Sequence, residues 1–204
     1  MAENEGRAVP NARLRHIFLG IQDVMGVSGL NTVLRQAGLQ RFAGALPPND
    51  RRPGLQAAEY AALLQAIENY YGRGGRGTLL RIGYAAFQHL VASRPVAAAG
   101  FQALLRLRPL PARQALVLRW LAREIAGPHG SMTVEQDVAG PTVVDRVGDG
   151  TYGRRRDTAI CWLVLGEIQE ALKWGTGVEY DVTEAACRAK GDEACRFAVG
   201  PPVG

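Results

Sequence analysis

The sequence predicts an α+β fold: an antiparallel four-stranded sheet with helices packed against it, preceded by a helical N-terminal region. Three observations predict it. Apolar residues recur at helical spacing as far as Ala126. Beyond Gly127-Pro128 the pattern turns to alternation, with Met132, Val134, Gln136 and Val138 against Thr133, Glu135 and Asp137. One amphipathic helix then divides the strands. The order of several helices, two strands, a helix and two strands belongs to α+β proteins.

Met1 to Pro10 is polar and reads as a disordered tail. From Asn11, an N-cap type, Leu14, Ile17, Phe18, Ile21, Val24 and Met25 mark a first helix, which Gly26 stops. Leu30, Val33 and Leu34 mark a second, ending at Gly38. Residues 11–46 form this N-terminal region, suited to packing on the main body or to dimerisation. The linker runs from Pro47 to Gly54, rich in proline and arginine.

The third helix spans Leu55 to Tyr71. Gly72 to Gly77, GRGGRG, follows with no preceding strand and no Lys-Ser/Thr, so it reads as a helix connection rather than a phosphate loop. Thr78 to Val91 is the fourth helix, in which the small Gly83, Ala85 and Ala86 permit close backbone approach or leave room beside Tyr84 and Phe87. Pro95 opens a fifth at the favoured first-turn position, and Ala112 to Ala126 makes a sixth.

In the C-terminal part, Val143-Val144 can pair as a second strand, and 148–156 is a polar loop. A helix from Asp157 or Thr158 to about Trp174 turns Cys161, Leu165, Ile168 and Leu172 inward. Val178, Tyr180 and Val182 alternate in a third strand; Cys195, Phe197 and Val199 share one face of a fourth.

The chain of 204 residues is 47% apolar and 21% charged, which is globular composition with room for a core without disulfides. Its net charge of +5 comes almost wholly from arginine, Lys173 and Lys190 being the only lysines. The arginines are dispersed and not interleaved with aromatics, which argues against a nucleic-acid partner. No secretory leader pattern and no run of 18 apolar residues appears, so a cytoplasmic protein without a membrane span is expected. Three cysteines, an odd number, exclude a complete disulfide framework.

Those cysteines cluster with one acid. Strand parity places Glu184 on the apolar face with Val178, Tyr180 and Val182. A buried carboxylate there must protonate or find a cation. A hairpin at Gly191-Asp192 brings Cys187 and Cys195 opposite each other, and Cys161 comes from the covering helix. Three thiolates and a carboxylate suit zinc in a closed, structural site. Inert packing thiols and redox use are the competing readings.

The segment Glu184-x-x-Cys187-x-Ala189-x-Gly191-Asp192-x-x-Cys195-x-Phe197, with Cys161 in CWLVLGEIQEAL, resembles the 4-vinyl-reductase-type domain of hydrocarbon-binding proteins and aromatic-responsive regulators. The resemblance is carried by Thr158 to Val199 and extends weakly back to Leu55, implying a ligand-binding domain over 55–200. It implies a fold similar to transport-particle subunits, a homodimer, and zinc on Cys161, Glu184, Cys187 and Cys195. It also implies an enclosed pocket for a hydrophobic or aromatic ligand near the metal. The sequence shows no ATPase or DNA-binding domain, so regulatory output is expected through a protein partner. Tyr84, Phe87, His89, Phe101, Trp120 and Trp162 are the candidate lining residues, with His129 a further candidate by type. Two other functions follow from the family. One is an accessory protein or reductase for a vinyl-bearing tetrapyrrole in bacteriochlorophyll synthesis, although no hydride-cofactor motif or acid-base pair outside the metal set supports catalysis. The other is an oligomeric scaffold.

Overall fold

Leu14, Ile17, Phe18 and Ile21 lie along one stripe of the first helix, and all four are fully buried. This helix, α1 (Asn11–Gln36), runs through the expected stop with a local break at Gly26, whose φ of 73° suits glycine. The computed structural model describes residues 7–126, 130–137 and 140–203. The expected tail is corrected at its end: Ala8–Pro10 form strand β1, paired antiparallel with β2 (Pro53–Gln56) from the linker. Asn11 is not the cap but lies inside the helix. Its side-chain amide donates to Asp50 at 2.9 Å, fastening the linker to the start of α1.

Helix α2 (Ala57–Tyr71) begins with a capping box in which the Gln56 amide donates to the Glu59 carboxylate at 3.0 Å. The glycine-rich connection makes one short turn, then α3 (Gly75–Ala92) starts earlier than its periodicity suggests. Helices α1, α2 and α3 enclose the first core, which includes Leu34, Leu63, Ile67, Leu79 and Ile82. By length and apolar composition α1 passes for a membrane span, yet its apolar stripe is this core.

Helices α4 (Pro95–Arg106) and α5 (Leu110–Ala126) lead to the sheet of β3 (Met132–Asp137), β4 (Gly140–Asp145), β5 (Tyr180–Ala186) and β6 (Cys195–Pro202). Its order is β3-β4-β6-β5, every pair antiparallel. The sequence expectation of a four-stranded antiparallel sheet under helices therefore holds. The continuation of β3 to Val138 lies outside the described residues. Helix α6 (Trp162–Thr176) crosses the sheet, burying Leu165, Ile168, Ala171 and Leu172 against Val143, Val182 and Phe197.

The two cores meet where α3 crosses α6. A Cβ on Gly83 would lie 2.1 Å from the Leu163 carbonyl oxygen, and one on Gly166 would lie 2.2 Å from that of Leu80. The small residues of the fourth predicted helix thus serve backbone-to-backbone contact.

Candidate metal centre and its neighbours

Strand β5 alternates buried Tyr180 and Val182 with exposed Asp181 and Thr183, so Glu184 follows on the inward side. The register slips between Glu184 and Ala186, a bulge that redirects the strand toward the following turn. Cys187 starts a short turn through Arg188–Lys190, closed by Gly191 at φ 103°. The Cys187 amide donates to Asp192 Oδ2 at 2.7 Å, which locks the turn and sets Cys195 at the head of β6. Cys187 and Cys195 are fully buried.

Cys161 arrives differently from its expected place. Helix α6 starts at Trp162, so Cys161 is the residue before it rather than a position one turn inside. Its backbone N–H is therefore free of the helix and donates to Glu184 Oε2 at 2.8 Å. One ligand atom from each of Cys161, Glu184, Cys187 and Cys195 lies within 4.8 Å of all the others. The Sγ atoms of Cys161 and Cys195 are 3.5 Å apart, and the Arg188 amide donates to Cys195 Sγ at 3.4 Å. Gly148, at φ 59°, closes over the cluster; a Cβ there would meet Cys195 Sγ at 3.3 Å.

Crowding four ionisable groups into one buried site favours the neutral form of three of them and the anion of Cys187 alone. Burial pushes the Glu184 carboxyl up to about 8. Hydrogen bonds from Cys161 and Cys195 hold the Cys187 thiol well below its usual range, and the bond to Cys187 pushes Cys161 well above it. Glu184 Oε1 is buried without a hydrogen-bond partner. One cation would satisfy all of these groups at once.

The six candidate pocket residues divide. Phe87 (α3), Phe101 (α4) and Trp120 (α5) come together with Trp174 (α6), their ring centroids 5.6–6.2 Å apart. Trp174 entered the sequence reading only as a helix end, although an indole there had to face the helices that α6 covers. Tyr84 instead donates its hydroxyl to Gln169 Oε1 at 2.7 Å. His89 pairs with Asp23 at 2.7 Å at the surface, and Trp162 carries the Arg76 guanidinium 3.7 Å above its ring. His129 lies outside the described residues. Beside Cys161 there is a void of about 30 Å³, room for a water rather than an effector. The sequence reading passed over His16. It is buried within the apolar stripe of α1, and the interruption of that stripe by an imidazole was the available signal.

No family model matches the chain, and no curated protein matches it. Solved structures do. A mutant H-NOX protein from K. algicida in the Fe(II) unliganded state superposes with a TM-score of 0.61 at 13% identity, over 96% of this chain and 97% of that one. An H-NOX protein from S. oneidensis in the Fe(II) state gives 0.60 at 9% identity, over 96% of each chain. A structure concerned with heme distortion in the H-NOX family gives 0.54 at 14% identity, over 96% and 97%. The chain therefore has the H-NOX fold.

These matches correct two expectations. The identification as a 4-vinyl-reductase-type domain with a transport-particle fold does not stand, because the full-length neighbours are H-NOX proteins. The motif behind it occupies one helix start and one hairpin, whereas the superpositions cover nearly the whole chain. The zinc inferred from that family loses its basis with it. The H-NOX neighbours carry heme or Fe(II), so they offer no zinc precedent.

Proposed function

We propose that this chain is a small-molecule-binding sensor domain on the H-NOX fold, its helix–hairpin unit fastened by one metal ion. Cys161, Glu184, Cys187 and Cys195 hold the ion. The carrying observation is the convergence of four ligand atoms within 4.8 Å from residues 34 positions apart, one of them a buried carboxylate with an unpartnered oxygen. Four protein ligands leave no open position, so the ion clamps the start of α6 to the β5–β6 hairpin and carries out no chemistry on a substrate.

A heme is the group the fold suggests, and the described residues do not fit it. An axial imidazole needs an apolar slot for the macrocycle on either side. His89 is at the surface with Asp23, and the cavity beside His16 sets four arginines and two glutamates against only Pro10, Ala12, Ala86 and Leu90 as apolar lining. The three thiols are engaged with one another and with Glu184.

The effector is a hydrophobic or aromatic molecule that engages the aromatic group beneath α4. Phe101, Trp120 and Trp174 are each only half-buried there, and α4 buries just Ala98 and Leu105, so it can lift at modest cost. Leu104 on α4 and Leu107 just beyond its end face solvent, apolar surface for a second copy or a protein partner that reads the position of the helix. The proposal includes a cytoplasmic homodimer.

Metal analysis with native mass spectrometry tests the central claim. About one ion per chain is expected, removed by a chelator with a fall in melting temperature. Metal-free protein with an oxidised Cys161–Cys195 pair would replace the clamp with a redox switch.

A further inference from the structure

Helices α1, α3, α5 and α6 enclose a cavity of about 340 Å³ that the metal centre and the aromatic group do not use. His16 is 94% buried there, exposing only 6% of its surface, and its Nε2 has no hydrogen-bond partner. A buried polar atom without a partner is costly and marks a missing one. Four arginines line the cavity, Arg13, Arg51, Arg94 and Arg123, against two acids, Glu124 and Glu167.

The acids are already committed. Arg13 pairs with Glu167 at 2.9 Å, and Arg94 binds both oxygens of Glu124 at 2.9 and 3.1 Å. Arg51 and Arg123 have no carboxylate partner among the described residues, so the lining carries two positive charges in excess. Burial, then the cations Arg13 and Arg94, lower the His16 imidazole to about 4, so at neutral pH it is uncharged and its ring can donate or accept at Nε2. Ala86 and Leu90 supply a small apolar wall.

We infer that this cavity binds a small organic anion, its carboxylate or phosphate held by Arg51 and Arg123 at the mouth while His16 Nε2 hydrogen-bonds a deeper polar atom. Guanidinium groups suit both oxyanions through paired N–H donors. The volume lies at the lower end of small-molecule sites. This inference stands apart from the clamp and the aromatic effector, because it rests on a different wall of the molecule and different chemistry.

The chain has three histidines, which makes imidazole resonances a direct readout. Metal-replete full-length protein with isotope-labelled histidine is titrated with inorganic phosphate and, separately, with succinate. Chloride at matched ionic strength is the control. A saturable shift of the His16 signal by either anion, but not by chloride, is expected. The stronger of the two identifies the head group. Arg123→Gln, a change at an exposed position that leaves the core intact, should weaken the binding about tenfold. Arg51→Gln is an equivalent second variant. No shift with either anion, or equal affinity in both variants and the parent chain, overturns the inference while leaving the metal result untouched.

Discussion

The α3–α6 crossing and the cysteine cluster both join the helical part of the chain to the sheet side, and they do so by opposite means. At the crossing, Gly83 and Gly166 remove side chains so that backbones meet, and apolar packing completes the contact. At the cluster, three thiols and a carboxylate are brought together with valences left open. The first joint is finished by the chain itself. The second leaves a buried carboxylate oxygen of Glu184 without a hydrogen-bond partner.

The largest effect is expected where nothing can yield. Gly83→Leu drives a side chain into the Leu163 carbonyl, and a loss above about 3 kcal/mol in urea denaturation is expected, overpacking at a backbone contact being worse than in a side-chain core. A mild effect would mean that the two helices can separate freely.

Next comes the helical side of the crossing, through His16. Its pKa is lowered from 6.5 to about 4 in the folded chain. Between those values the unfolded chain binds a proton that the folded chain refuses. Stability therefore falls as pH drops from 6.5 toward 4, by about 3 kcal/mol in total. His16→Gln should flatten that limb of the stability–pH profile; an unchanged slope would show that other groups supply it.

Cys187→Ser should cost less, lowering the melting temperature by about 6 °C and the metal content together. A chelator should then add nothing further. The same melting loss with metal retained would make Cys187 a packing residue. Smallest is the response to heme: titration should leave the free-heme absorption spectrum unaltered, and a bound-heme spectrum abolished by His16→Ala would show that the His16 cavity accepts the macrocycle.

Much of this was legible from residue order. Strand parity placed Glu184 on the buried side, and the Gly191-Asp192 turn paired two thiols, because both are local consequences of backbone period. Of the two uses that the small residues around Gly83 allow, the structure shows the close approach. Long-range events were not legible. Ala8–Pro10 pairs with a strand more than forty residues away, and two prolines in so short a ribbon hide it from any strand pattern. The start of α6 was misplaced because 157–160 looks helical by composition, yet Cys161 gives its N–H to Glu184 instead of to a helix. The cavity escaped notice because its polar lining is scattered, coming from α1, α5 and α6 and from Arg51 and Arg94 in connections between elements. The family was misread for a related reason: a ligand set for a metal needs only a few residues, and few residues can be shared by chance or by chemistry.

The position of Cys161 immediately before α6 has a mechanical consequence. Gly166, the residue that touches α3, lies only about 7 Å further along the same helix axis. A rod pinned so near its pivot cannot slide without straining the pin. Any effector that rolls α3 over α6 must therefore be registered at Cys161, where the backbone N–H meets Glu184.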